Sequence, residues 1–116
     1  MKFPLTTQQM AEFSDTIALE QRTILIERAA PYSTKEDRLD NFTKIAQICS
    51  GMGLTLSGAD IALVLLAVKL ARYGNLRSQG HAPESGTQRD SLIDGLNYWE
   101  LLALKDIEEL TTKGQQ

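Results

Sequence analysis

The segment ADIALVLLAVKLARY, residues Ala59–Tyr73, constrains this chain more than any other. Wound as a helix, its Ile61, Leu63, Val64, Leu65, Leu66, Val68 and Leu70 point in every direction. A helix that is apolar all round is stable only when covered on all sides. The longest apolar run in it, Ile61–Val68, is far short of the roughly 20 residues of a membrane span. Its cover must therefore be protein. The segment predicts a central helix, with a partner subunit on one side.

The rest of the chain supplies helices to pack around it. Thr6 and Gln9 make a capping-box pattern ahead of a first helix within Thr7–Ala30, which Pro31 ends. Ser14 and Asp15 are a point where that helix could break. Ser33 with Glu36 repeats the pattern and predicts a second helix from Ser33 or Thr34. Its Phe42, Ile45, Ala46 and Cys49 share one face, and Gly51 and Gly53 supply the stop. Ser57 is the expected N-cap of the central helix, and Gly74 its terminating glycine. A polar loop, residues 74–88, then leads into a fourth helix over about Arg89–Leu110, and residues 111–116 read as a frayed tail. No stretch alternates with period two. The expectation over residues 1–116 is one all-α domain, a four-helix bundle or close variant that self-associates as a dimer or higher oligomer.

Composition narrows the function. The 116-residue chain has a net charge of −3 and a pI near 5.1, which argues against general nucleic-acid binding. The single cysteine, Cys49, forms no bridge within the chain and reads as inert core. The N-terminal MKFPLTTQQM has no apolar signal core, so a cytoplasmic protein without membrane association is expected. No P-loop, dinucleotide fingerprint, zinc pattern or nucleophile triad is present.

The chemistry concentrates in two places. On the fourth helix, Leu92, Ile93, Leu96, Trp99, Ala103 and Leu104 share a broad face, read as the main core contact. Asp90, Asp94, Tyr98 and Leu101 lie together on the other side, and with Tyr98 and Leu101 beside the carboxylates this stripe reads as a second, partly covered surface. Two aspartates at i, i+4 repel unless a cation sits between them, either a metal or a basic side chain. Thr87 with Asp90 also fits a capping box, which would account for Asp90 alone. Gly95 suggests close approach of another backbone or of a ligand. On the central helix, Lys69 and Arg72 interrupt the apolar pattern. They either snorkel at the C-terminal end or enter a polar pocket and meet Asp90 and Asp94, or phosphate. Asp60 fits the Ser57 capping box. His81 is the only histidine and sits in the polar loop.

The stretch from Glu27 through Asn75, followed by RDSLIDGLNYWELLA, resembles a small all-helical family of tailed phages and prophages of unknown function. The residues that carry the resemblance are Tyr32, Asn41, Asp60, Lys69, Arg72, Asp90, Ser91, Asp94 and Tyr98, over about Ile26–Leu102. The pattern is also loosely similar to the all-α nucleoside triphosphate pyrophosphohydrolases of the MazG type. That similarity implies an oligomeric helical bundle and clustered acids holding magnesium. This chain departs from it, with Lys69 and Arg72 where a second acidic pair would stand.

Three functions follow as expectations. One is a phage-type accessory protein that binds a nucleotide or related phosphate-bearing ligand and sequesters a host-defence signal in the cytoplasm of an infected or lysogenic bacterium. Its ligand residues would be Lys69, Arg72, Asp94, Tyr98, Tyr32 and Asn41. Another is a Mg2+-dependent pyrophosphohydrolase in which Asp90 and Asp94, with Glu20 or Glu27, hold the metal. The third is a structural module in which the aspartates and Lys69 and Arg72 form an ion network.

Overall fold

The computed structural model describes residues 2–29 and 38–114. They form four helices, α1 (Thr7–Ala29), α2 (Arg38–Gly51), α3 (Gly58–Ser78) and α4 (Gly86–Gly114), and no strand. The fold is all-helical, as the periodicity requires. No described helix is long and apolar enough to cross a membrane.

The helix ends follow local chemistry. Thr6 N–H donates to Gln9 Oε1 and Gln9 N–H to Thr6 Oγ1, at 2.9 and 3.1 Å, a reciprocal cap for α1. α1 continues through Ser14 and Asp15. The expected second-helix start at Ser33 or Thr34, with its Glu36 partner, lies outside the described residues, as does Tyr32. α2 closes when Leu54 N–H reaches Cys49 O and Gly53 N–H reaches Ser50 O, with Gly53 at φ 87°. Ser57 caps α3 in a full capping box with Asp60.

α3 does not stop at Gly74. It runs on to Ser78, where His81 N–H bonds Leu76 O and Gly80 N–H bonds Arg77 O, with Gly80 at φ 83°. Gly74 costs the helix only about 1 kcal/mol. Leu76 lies one turn past Tyr73 on the same half-buried face, so the apolar pattern carries the helix through. α4 likewise begins at Gly86, which places Thr87 inside the helix rather than at its cap. The connection is therefore residues 79–85, half the expected loop.

The helices build an elongated body of 53 × 28 × 28 Å. α3 and α4 pack antiparallel as its spine: Gly58 lies against Lys105, and the Gln88 amide donates to Tyr73 O at 3.0 Å. α2 lies across them. Phe42, Ala46, Ile61, Ala62 and Leu101 form the buried core, with Leu25, Leu65 and Tyr98 packed against it. α1 docks on α4 less extensively, with two ion pairs across the seam. The radius of gyration, 16.9 Å, exceeds the about 13 Å of a compact domain this long.

The orientation of α4 divides the sequence expectation. Ile93, on the predicted core face, is 1% exposed, but Trp99 and Leu104 of the same face are 59% and 48% exposed, and Leu101, on the side predicted to be only partly covered, is 4% exposed. α4 buries Gln88, Ser91, Asp94, Asn97 and Lys105. Within this chain its inward face mixes these polar residues with Ile93 and Leu101, and much of its outward face is apolar.

Candidate functional site

Asp94 is the centre of the charged cluster. The antiparallel spine sets Lys69 of α3 opposite it, and the last turn of α1 brings Arg28 to it from the other side. Arg28 Nη1 donates to Asp94 Oδ1 at 2.8 Å, and Lys69 Nζ stands 3.2 Å from Oδ2. The Asp94 side chain is 12% exposed, Lys69 22% and Arg28 48%, so the carboxylate is inside and the outer cation is wet. Two cations on one carboxylate leave a local excess of positive charge. Arg28 also suits the C-terminal end of α1, where the helix dipole welcomes a cation.

A second pair fixes the other part of the α1–α4 seam. Arg89 reaches Glu20 with Nε and Nη2 at 3.0 and 2.7 Å, a bidentate contact, and its guanidinium sits 5.6 Å from the Phe13 ring. The Arg89 hydrogen bond holds the Glu20 carboxyl below its ordinary range, and Glu20 in turn raises Arg89.

The structure separates residues that the sequence groups. Lys69 and Asp94 meet. Asp90 is exposed and has no ion pair among the described residues, and Arg72 is exposed one turn beyond Lys69, also without one. Tyr98 is half-buried against the core, and Asn41 is half-buried at the start of α2. The cation expected between Asp90 and Asp94 is instead a pair of basic side chains on Asp94 alone. Glu20 is engaged by Arg89, and Glu27 is exposed. No group of three or more His, Cys, Asp or Glu gathers among the described residues. Asp90, Asp94, Glu20 and Glu27, all described, are thus not gathered as the several carboxylates that magnesium around a triphosphate needs. Exposed His81 lies in the shortened loop. Nothing comes within 4 Å of a Cβ placed on Gly95, so the close approach expected there is not made within this chain.

Sequence reading missed a polar assembly at the other end of the spine. Lys105 is 2% exposed, and its Nζ donates to Thr43 Oγ1 at 2.6 Å and Glu108 Oε1 at 2.7 Å. Glu109 Oε1 accepts from Ala59 N–H at 3.1 Å, so α4 caps the start of α3. These residues edge an open groove of about 490 Å3 that also holds Gln47, Ser50 and Lys113. The signal was available: Lys105 continues the Asp94–Tyr98–Leu101 row at helical spacing. Asn97 is 1% exposed, and neither its amide N–H nor its carbonyl is bonded.

Gly58 makes the Lys105 path possible, because a Cβ there falls 2.4 Å from Lys105 Cε. Lys105 Nζ is held by Thr43 and Glu108, so a shift of its Cε strains both hydrogen bonds. Gly58→Ala is therefore expected to destabilise the fold by about 1–2 kcal/mol, against the usual helix gain of alanine over glycine. Urea denaturation measures it. A stabilised variant would show that the lysine moves freely.

Comparison with family models, with curated proteins and with solved structures finds no match.

Proposed function

We propose that this protein is a binding protein of the tailed-phage type, working as a homo-oligomer, that takes a nucleotide or related phosphate-bearing ligand beside Asp94. The observation that carries the reading is the convergence of Arg28 and Lys69 on that one carboxylate. The excess positive charge, with exposed Arg72 one turn on, suits a phosphate. Lysine offers it a point charge and arginine a planar fork. Asp94 orients the two cations and limits the site's net charge. Sequestering a nucleotide signal of host defence, in the cytoplasm of an infected or lysogenic bacterium, is the role this reading implies. Binding is favoured over hydrolysis, because among the described residues the carboxylates do not gather.

A second reading has its own support. Both Asp94 oxygens already have cationic partners, as a purely structural lock between α1, α3 and α4 requires.

A thermal-shift screen with linear, cyclic and oligomeric nucleotides, with and without Mg2+, separates the readings. A ligand at 100 times its Kd adds about 2.7 kcal/mol, and chromatography shows whether it is recovered intact. Arg72→Ala, at an exposed position, should leave the unliganded melting temperature unchanged and weaken binding about tenfold. No shift with any nucleotide leaves the structural lock standing. Metal-dependent cleavage restores the hydrolase.

A further inference from the structure

α3 is covered by α2 and α4 but is open on its remaining face. Ala62, Leu66, Lys69 and Tyr73 turn inward, while Leu63, Val64, Ala67, Val68, Leu70 and Ala71 face out. The outward set runs over more than two turns without a charge. Leu63, Val64, Val68 and Leu70 are each more than half exposed. The surface continues onto α4: Leu70 and Tyr73 of α3 and Leu92, Leu96 and Trp99 of α4 line a groove of about 220 Å3 that is almost entirely apolar and that Lys69 also lines. The helix whose sequence demands cover on all sides thus lacks it on one.

We infer that this face is closed by a second copy of the same chain, with the two α3 helices antiparallel and Ala67 at the twofold axis. The inference supplies the surface for the oligomer in the functional reading but rests on no ligand.

Area allows this occupant. The elongated chain exposes 8204 Å2, about 1,900 Å2 more than a compact monomer of this mass, spread over all four helices, and a standard dimer needs about 800 Å2 on each partner. Charge supports the antiparallel arrangement. Asp60 stands at the start of α3, and Arg72 and Arg77 stand toward its end. An antiparallel copy sets Asp60 opposite Gly74, within a turn of the partner's Arg77; a parallel copy would set like charges together. A small residue at the centre lets the helices close, with Leu63 opposite Ala71 and Val64 opposite Leu70. The arrangement is self-complementary, as a twofold interface must be. It also resolves the apolar outward face of α4, since Leu96 and Trp99 would be covered by the partner.

Sedimentation velocity of the full chain over a concentration series tests the assembly, and is expected to show a dimer. Ala67→Glu should raise the dimer Kd by about a hundredfold or more, because each assembly would bury two unpaired carboxylates. Its helical content should be unchanged. Cysteine cross-linking in a Cys49→Ser background tests the register without relying on that variant. Ala67→Cys should form a disulfide with its own copy, and Leu63→Cys should not. A monomer at all concentrations overturns the inference. So does an assembly in which Leu63→Cys cross-links and Ala67→Cys does not. Lys69 lines the covered groove as well as meeting Asp94, so the two readings are separated by measuring nucleotide binding on the monomeric Ala67→Glu variant beside the full chain.

Discussion

Asp94→Ala is expected to lower stability by about 2 kcal/mol, or several degrees in melting temperature for a domain of this size. The substitution strands Lys69, the more enclosed of the two cations. Breaking a fully buried pair costs more, about 3–5 kcal/mol. The discount follows from exposure, because Arg28 is nearly half in water and recovers hydration when its partner leaves. Removing both ends of the inner pair is the informative control. Lys69→Met with Asp94→Leu replaces the ions by apolar groups of similar volume and should recover most of the loss, leaving only the Arg28 contact missing. Thermal unfolding of the two variants decides it. Equal losses would mean that the pair contributes net stability. If Asp94→Ala proved neutral, the carboxylate would be doing nothing for the fold, and the case for a ligand role would strengthen.

Much of the helical scaffold was legible because its signals are local. Thr6 with Gln9, Ser57 with Asp60, and Gly53 each act within a few residues, and the structure uses all of them. Gly74 misled because a glycine is a stop only where an αL residue closes the turn. Gly80 has that conformation, and Leu76 gives the helix a reason to reach it. Of the candidate site, the Lys69–Asp94 encounter was legible from helical spacing. Arg28 was not, since the α1–α4 contact spans 66 residues and no pattern in either helix encodes it. Asp90 and Arg72 lie a turn away on their helices, but the spine leaves both on the surface.

The largest packing effect is expected at a residue that hydropathy placed off the main core face. Leu101→Ala should cost about 3 kcal/mol, the usual range for a buried leucine cut back to alanine. Leu101 is 4% exposed and sits in the cluster with Phe42, Ile61 and Ala62. Leu104→Ala, at a half-exposed position, should cost under about 1 kcal/mol. On a wheel weighted by hydrophobicity the two exchange roles, because Leu92, Ile93, Leu96, Trp99 and Leu104 outnumber the apolar residues of the Leu101 row. That row carries Asp94, Tyr98 and Lys105, each needing a partner that only tertiary structure supplies: Arg28 and Lys69 for one, the core for another, Thr43 and Glu108 for the third. Once paired, the polar row can be buried, and the more apolar row, apart from buried Ile93, is left for another surface. Urea midpoints at constant m-value measure both variants. Equal losses would place α4 in a different rotation and would put Asp94 beyond the reach of Lys69. A Leu101 loss several times the Leu104 loss supports the rotation on which the charged site and the outward apolar face both depend.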